Sequence, residues 1–289
     1  MSIQLNWFVL AAISSITASV VSILQKFALK DTDDPISFGI YFQLLVSLIG
    51  LPMAIINYDS FPLNFNIIFM VLLMAFFSAS GNLLYFFSLK STEISQVAIL
   101  TSTSSLWLLP GGFIFFRELP SIYKILGVFL VVLGVFVIYY NKNSTISFGT
   151  SQIFALISAV FAGLTGMFDK FLLAIYTVST YQVLSYFLQA LLTASLMPSS
   201  VKNIAPLLRF NRTNAVIILC AILLNFGAFS YFSALKIGGE ISKVNPILQS
   251  SVILTIILGI ICFNEKENLL NKVLGTITIF WGVLLIKSI

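Results

Sequence analysis

Two stretches of the chain, half its length apart, read almost alike: YFFSLKSTEIS at 85–95 and YFSALKIGGEIS at 231–242. Their first residues lie 231 − 85 = 146 positions apart in a chain of 289 residues. Self-similarity at a fixed, long period indicates that one structural unit occurs twice. We therefore predict two units, residues 1–142 and residues 143–289.

The likeness extends to both sides of this pair. SILQKFAL at 22–29 parallels GMFDKFLL at 166–173, and KILGVFLVVLGVFVIY at 124–139 parallels KVLGTITIFWGVLLIK at 272–287. The offset between matched segments changes only from 166 − 22 = 144 to 272 − 124 = 148 residues. Only small insertions therefore separate the two copies.

The composition places the chain in a membrane. Apolar residues make up 59% of the sequence and charged residues 9%, with a mean hydropathy of +1.05. A water-soluble domain carries about 25% charged residues. So few charges could not cover a soluble surface, and we predict an all-α protein whose exterior faces lipid, since continuous apolar runs indicate spanning helices rather than barrel strands.

A spanning helix needs about 20 apolar residues, and ten segments meet this requirement. They lie at roughly 5–29, 36–57, 66–89, 94–116, 121–140, 151–173, 178–198, 213–235, 241–263 and 269–287.

Five spans in each copy determine how the copies relate. Because five is odd, the second copy must enter the membrane from the opposite side to the first. The two copies are then related by a pseudo-twofold axis in the membrane plane, which is a common design of secondary transporters. The sequence therefore predicts two inverted five-helix repeats with a cavity between them.

One pattern occurs in both copies. In the first, LKSTEISQVAILTSTSSLWLLPGGFIFFRE at 89–118 precedes LGVFLVVLGVFVIYY at 126–140. In the second, LKIGGEISKVNPILQSSVILTIILGIICFNE at 235–265 precedes LGTITIFWGVLLIK at 274–287. This pattern resembles the EamA-type drug/metabolite transporter superfamily, in which an LK turn leads into a Ser-rich helix that ends in Glu, and a helix with a Gly-rich seam follows.

The resemblance covers essentially the whole chain. It implies ten helices, a central cavity lined by helices 1, 3, 4, 6, 8 and 9, and both termini in the cytoplasm. Members of the superfamily carry amino acids, nucleotide sugars, choline and other solutes, so the resemblance indicates transport without indicating the substrate.

Neutral polar residues within the predicted helices are the candidates for lining the cavity. Several share one face of helices 4 and 9, and others lie in helices 3, 7 and 8. Hydrogen bonding between helices is the structural alternative for each of them. The candidates are Asn82, Tyr85, Ser102, Ser105, Trp107, Tyr186, Gln189, Asn225, Tyr231, Asn245 and Gln249.

Two prolines predict interruptions in these helices. Pro110, followed by two glycines, and Pro246, which follows an asparagine, each remove a backbone hydrogen bond within a span. Interrupted helices expose carbonyl and amide groups at membrane depth, where they are tolerated if they line a cavity. We therefore expect helices 4 and 9 to bend or break at these prolines.

Four further residues are candidates for ion coupling or gating. Gln25 and Lys26 end helix 1, and Asp169 and Lys170 are their counterparts in helix 6. The lysines could extend to opposite membrane surfaces, bind an anionic group of the substrate, or gate the cavity. Asp169 could pair with Lys170 or another lysine, or act as a proton- or cation-linked carboxylate, so it favours a cation where the lysines favour an anion.

Four glutamates lie at the ends of helices 4 and 9. Glu93 and Glu240 begin these helices, where a negative charge meets the positive end of the helix dipole. Glu118 and Glu265 end them, and the resemblance implies a structural turn there. We predict structural roles for all four.

The sequence argues against several other functions. It contains no histidine and no GxxxxGK[ST] motif, which excludes His-based metal sites and ATP hydrolysis by the chain itself. We expect no catalytic residues, metal or cofactor. The net charge of +5 is spread over short loops, so we expect contact with lipid headgroups and no nucleic-acid partner.

Glycines are spaced along the last helix of each copy: Gly127 and Gly134 in the first, Gly275 and Gly282 in the second. Small residues on one helix face allow close packing in membranes. These seams could pack within the chain or form a homodimer.

The charges of the loops conflict with the orientation that the resemblance implies. With cytoplasmic termini, nine of the 15 Lys and Arg residues lie outside. The other six lie on the inner side: Arg117, Lys124, Lys170, Lys236, Lys243 and Lys287. The positive-inside rule would favour the reverse orientation. The bias is shallow, and we follow the resemblance and place the chain in a cell membrane of the bacterial inner-membrane type.

Together these features predict a secondary transporter that moves a small polar or amphipathic metabolite, such as an amino acid or an amine, by alternating access. Two alternatives are a flippase for a lipid-linked substrate, with basic residues at a lateral opening (Lys202, Arg209 and Arg212), and a membrane receptor or accessory subunit that transports nothing.

Overall fold

The computed structural model describes residues 6–58, 62, 64–119, 121–139, 149–209, 211–265 and 269–287. Within these residues the chain is all-helical, and the predicted boundary between residues 142 and 143 lies outside them. The α-helices are α1 Trp7–Lys30, α2 Pro35–Ile56, α3 Phe65–Ser91, α4 Ile94–Ser102, α5 Ser104–Phe116, α6 Ile122–Tyr139, α7 Thr150–Ile175, α8 Val178–Leu196, α9 Pro198–Val201, α10 Arg212–Lys236, α11 Ile241–Gln249, α12 Ser251–Phe263 and α13 Leu269–Lys287, with a 3-10 helix Lys202–Leu208 after α9.

Seven segments among the described residues are long and apolar enough to cross a membrane: α1, α2, α3, α7, α10, and the two-part segments Ile94–Phe116 and Ile241–Phe263. The apolar stretches of α6 and α13, Ile122–Gly134 and Val273–Gly282, are shorter. The chain is thus a multi-pass membrane protein.

The distribution of side chains is that of a protein in lipid. Large apolar residues point outward: Phe65, Ile114 and Ile261 are 82%, 70% and 72% exposed. Hydroxyl and amide side chains lie inside instead, as Ser19 and Gln25 do on α1. Because lipid solvates apolar groups and not polar ones, this arrangement leaves the polar groups to bond with one another within the helix bundle.

Helix packing is unchanged when the two halves of the chain are exchanged. α1 packs on α10 as α3 packs on α7, while α2 pairs with α8 and α6 with α13. In the middle, α4 packs on α12 and α5 packs on α11. Since the beginning of one two-part segment meets the end of the other, the two segments run antiparallel.

The glycine seams join α6 and α13 within the chain. A Cβ atom on Gly134 would lie 2.6 Å from the carbonyl oxygen of Gly275, and one on Gly282 would lie 2.6 Å from that of Gly127. The paired positions run in opposite directions, so these helices are also antiparallel. The seams are therefore occupied by the chain's own helices, and a homodimer stays a prediction.

The two-part segments are interrupted, but not at the predicted residues. Pro110 lies inside α5 and Pro246 inside α11, so helices 4 and 9 do not break at these prolines, and a bend at either one stays a prediction. The breaks fall at Thr103 and Ser250, which are 250 − 103 = 147 residues apart and have ψ angles of −10° and −11°.

Hydroxyl groups explain where the breaks fall. Ser102 Oγ donates to Ile99 O at 2.7 Å, Thr103 Oγ1 to Leu100 O at 2.6 Å, and Ser250 Oγ to Ile247 O at 2.6 Å. Serine and threonine that bond to carbonyls of the preceding turn compete with the regular helix ladder. The Ser/Thr runs, and not the prolines, are therefore the local cause of the interruption.

Candidate functional site

A cavity of 360 Å³ lies among α1, α2, α3, α4, the start of α5, α7, α8, α10 and α11, close to both helix breaks. A second cavity of 220 Å³ adjoins it and shares Asp169, Tyr186 and Tyr231 with it. Eight of the predicted site residues line the first cavity, and Gln189 lines the second. The eight are Gln25, Asn82, Tyr85, Asp169, Tyr186, Tyr231, Asn245 and Gln249.

Amide and hydroxyl side chains connect the two halves across this cavity. Gln249 Nε2 donates to Ser104 Oγ at 2.9 Å, and Ser105 Oγ donates to Asn245 Oδ1 at 3.0 Å. Asn82 Nδ2 donates to Gln189 Oε1 at 2.7 Å. Each bond joins a helix of the first half to a helix of the second, so the cavity wall is also the contact surface between the halves.

The broken ends of the second two-part segment also bond to α1. Ser19 Oγ donates to Ser251 O at 2.9 Å, and the hydroxyls of Ser15 and Ser250 lie 3.2 Å apart. The break leaves backbone groups without helix partners at membrane depth. Ser19 of α1 satisfies one of them, the carbonyl of Ser251. Hydroxyl groups of α1 thus provide polar partners at the break.

Four cavity candidates lie away from the described lining. Trp107 is 48% exposed, and its Cβ lies against Gly163. Ser102 is buried and bonds to its own helix, while Asn225 Nδ2 donates to Val46 O at 2.9 Å and so ties α10 to α2. Ser105 lies behind the lining and reaches it only through Asn245.

Asp169 is buried and forms no ion pair with Lys170 or another described lysine, which was one of the two alternatives. Its Oδ1 accepts a hydrogen bond from the Tyr181 hydroxyl. Its neighbour Lys170 instead lies 2.6 Å from Glu118 Oε1. Asp169 is 7% exposed and lines both cavities.

Neither lysine candidate is among the described residues that line the cavities. Lys26 Nζ donates to the carbonyl oxygens of Leu89 and Thr92, at the end of α3. Lys170 pairs with Glu118 and lies 4.9 Å from the ring centre of Phe116. Both ammonium groups therefore bind to helix ends, where carbonyl oxygens and carboxylates need a cation.

The glutamates that end the two-part segments cap the helices of the opposite half. Glu118 accepts from the backbone N–H groups of Ile241 and Ser242 at 2.7 and 3.1 Å. Glu265 accepts from those of Ile94 and Ser95 at 2.9 and 3.1 Å. Each carboxylate thus meets the first N–H groups of a helix, which have no partner within it.

Backbone geometry directs both glutamates. Arg117 and Asn264, which precede them, have left-handed φ angles of 52° and 58° and end the preceding helices. A Cβ on Gly112 would lie 2.6 Å from Glu118 Oε2, and one on Gly259 would lie 3.0 Å from Glu265 Oε2. The glycines therefore leave the space that the folded-back carboxylates occupy.

Glu118 and Glu265 have structural roles, as predicted, but they act as caps of helices in the opposite half and not as turns alone. Glu93 and Glu240 begin α4 and α11 without a side-chain cap hydrogen bond. Burial alone would raise the pKa of Glu118, but hydrogen bonds from Lys170 and Ser242 and the charge of Lys170 hold that pKa below its usual value. The capping carboxylates come from the far side of the sequence, which no local pattern reveals.

The predicted set does not include several residues of the site, among them Gln43, Ser104 and Tyr181. Gln43, which lines the first cavity, is 3% exposed, and its Oε1 has no hydrogen-bond partner among the described residues. Ser104 and Tyr181 hold Gln249 and Asp169 in place. An amide in a strongly apolar helix was the available signal for Gln43. Among the described residues, no three or more Cys, Asp and Glu side chains lie close enough together to hold a metal ion.

Comparison with known proteins agrees with the duplicated architecture. The family model for the EamA-like transporter family matches this chain twice, at residues 5–140 and 149–288. A curated relative from Sinorhizobium sp, described as an uncharacterized transporter in the cobO 3' region, is 29% identical over 142 residues, which are 47% of this chain and 94% of the relative. A solved crystal structure, described only as that of a protein, has a TM-score of 0.69 at 12% identity and covers 96% of each chain, which shows likeness of fold.

Proposed function

The chain belongs to the EamA-like transporter family, and from this premise we propose that it is a secondary transporter of a small polar or amphipathic metabolite, such as an amino acid or an amine. Family membership makes it a membrane transporter and not an enzyme. In the proposed mechanism, ten helices form two inverted five-helix repeats, residues 1–142 and 143–289. The repeats rock against each other, so that the cavity opens to one side of the membrane and then to the other.

The observation that carries this proposal is the reciprocal capping contact between the two halves. Glu118 of the first half caps α11 of the second, and Glu265 of the second caps α4 of the first. Such an exchange arises naturally when two copies face each other upside down. It supports inversion, and a cavity at the junction supports transport because relative movement of the halves would change access to it.

The antiparallel pairs support the ten-span arrangement. α6 and α13 run side by side in opposite directions, as do the two-part segments. With α6, α8 and α13 added to the seven apolar segments, each half has five crossings. We propose further that the chain lies in a cell membrane of the bacterial inner-membrane type, with both termini in the cytoplasm.

The flippase alternative receives less support from the surface. An apolar groove of 670 Å³ between α2 and α8 is bordered by Tyr58, beyond the end of α2. The connection that contains Lys202 and Arg209 lies at the other end of α2, where Asn203 Nδ2 donates to Asp34 Oδ2 at 3.1 Å. Lys202, next to Asn203, therefore does not rim this groove.

Counterflow into proteoliposomes tests the transport proposal. Vesicles containing the purified protein and loaded with a pool of unlabelled small metabolites should take up the labelled members that the protein carries, and empty vesicles should not. Replacement of a lining residue, Gln249→Ala or Tyr231→Ala, should lower the initial rate by about tenfold, because a lost buried hydrogen bond costs about 1–3 kcal/mol.

Trp107→Phe is the matched control, because Trp107 lies on a helix next to the cavity without lining it. Its rate should stay near that of the wild type. Folded protein that moves none of the pool would favour the receptor or accessory-subunit alternative. A loss in Trp107→Phe as large as that in Tyr231→Ala would place the substrate elsewhere.

A further inference from the structure

Charge in the cavity is concentrated on one residue. Asp169 is the only ionisable acidic or basic side chain among the described residues that line either cavity. The other polar lining groups are amides, hydroxyls and phenols. A substrate that enters therefore meets one carboxylate and, in the described part of the chain, no cation.

Nothing in the described structure neutralises this carboxylate. The ion pairs among the described residues are Lys124–Glu240, Lys170–Glu118 and Lys243–Glu240, and none includes Asp169. Tyr181 donates one hydrogen bond to Oδ1, and no described residue donates to Oδ2. Removing a carboxylate from water without a counter-ion is costly, so a cation that reached the cavity would be bound favourably.

In the sequence, Asp169 favours a cationic substrate and the two lysines favour an anionic one, but only Asp169 is among the described residues that line the cavities. Lys26 is bound to the carbonyl groups at the end of α3, and Lys170 to Glu118. Neither lines the cavities, so an anionic group would find no described cation there. The lysines therefore give no reason to expect an anionic substrate, whereas Asp169 still favours a cationic one.

Other lining groups suit a cation that can donate hydrogen bonds. Gln43 Oε1 is a buried acceptor without a described partner, and Gln43 lines the same cavity as Asp169. The phenol rings of Tyr186 and Tyr231 line both cavities with Asp169. Aromatic rings attract ammonium groups through their electron-rich faces.

Building on the proposed transport function, we propose that the substrate is a small protonated amine without a carboxylate, whose ammonium group binds Asp169 and the nearby acceptors. The cavity volumes of 360 and 220 Å³ suit a molecule of few heavy atoms. An amino acid fits less well, because its carboxylate would be buried without a cation among the described lining residues.

The first test uses the unmodified protein and compounds that differ in charge. Thermal shift is measured with two series: phenethylamine, phenethyl alcohol, phenylpropionate and phenylalanine; and butylamine, butanol and butyrate. The amine of at least one series should raise the melting temperature in a saturable way, and its neutral and anionic partners should not. Equal or larger shifts with the alcohols or carboxylates, or no shift with either amine, would overturn the proposal.

The second test replaces the carboxylate by its neutral isostere. Asp169→Asn should weaken binding of the amine by about tenfold or more, since a buried charged partner is lost. Asp34→Asn is the control, because Asp34 caps α2 away from the cavity and Asn also caps helices well; it should bind the amine as the wild type does. Amine binding that survives Asp169→Asn would assign the carboxyl another role and overturn the proposal.

The two proposals fail in different ways. If proteoliposomes carry neutral or anionic solutes and no amine, the transport function stands and the substrate class is wrong. If the amine binds through Asp169 but no solute crosses the membrane, the substrate class stands as a ligand class and the transport function is wrong.

Discussion

Glu118 joins three parts of the molecule through one carboxylate. It accepts from two backbone N–H groups of α11 and lies 2.6 Å from the ammonium group of Lys170 on α7. Because α7 and α11 belong to the second half and Glu118 to the first, this residue couples the two halves. Glu265 of the second half likewise caps α4 of the first.

The substitution Glu118→Gln should destabilise the protein. The amide keeps one acceptor oxygen, but it loses the charge that faces Lys170 and the helix end. We expect a loss of about 1–3 kcal/mol in the free energy of unfolding at neutral pH, measured as a lower melting temperature in detergent. Glu93→Gln, at a helix start without a side-chain cap, should have a smaller effect.

The same residue should make stability depend on pH. Because the pKa of Glu118 is lower in the folded protein than its usual value of 4.5, its contribution is complete above pH 4.5 and is lost as the pH falls through the folded pKa. The difference in melting temperature between wild type and Glu118→Gln should therefore shrink on acidification below pH 4.5. A difference that stays constant or grows would contradict the capping role.

At the scale of helices, close packing of α6 on α13 depends on glycine. The Cβ of an alanine at 134 would meet backbone atoms, Gly275 O at 2.6 Å and Ile279 N at 3.1 Å, and backbone cannot move aside without separating the helices. Antiparallel packing at this distance fixes the register of α6, the last helix of the first half, against α13, the last helix of the second.

Gly134→Ala should therefore destabilise the protein by about 1–3 kcal/mol, as overpacking does, although alanine by itself favours a helix by about 1 kcal/mol. Gly166→Ala is the control, because it lies inside helix α7 and the nearest atoms there are at the flexible end of the Leu108 side chain, at 3.0 and 3.3 Å. Its melting temperature should change little. A Gly134→Ala protein as stable as the wild type would show that the helices can separate at no cost.

Some elements could be read from the sequence and others could not. Apolar runs and self-similarity are properties of the sequence itself, and they located the long helices and the duplication. The breaks fall not at the prolines but at Thr103 and Ser250, where hydroxyls that bond to carbonyls of the preceding turn compete with the helix ladder. The capping by Glu118 and Glu265 joins residues more than a hundred positions apart, and no local pattern predicts it.

At the scale of the whole molecule, the site was predicted better than the surroundings that determine its chemistry. Eight of the predicted residues line the first cavity because polar side chains in apolar helices turn inward, away from lipid. Trp107 does not line the cavity as predicted, because an aromatic side chain can pack against lipid as well as against a cavity. The pairing of Lys170 with Glu118 rather than Asp169 depends on tertiary packing, and it leaves Asp169 without a lysine partner among the described residues.

The proposed transport mechanism requires that the two halves are inverted. The accessibility of matched positions in the two copies tests this inversion directly. Ser91 and Ile237 are exposed, follow the LK turn of each copy, and lie 237 − 91 = 146 residues apart. In a background without Cys220 and Cys262, Ser91→Cys and Ile237→Cys proteins are treated in intact cells with a membrane-impermeant maleimide, and again after the membrane is permeabilised. We expect Ser91→Cys to react in intact cells and Ile237→Cys only after permeabilisation. Reaction of both positions from the same side would mean that the two copies point the same way, and it would contradict the account.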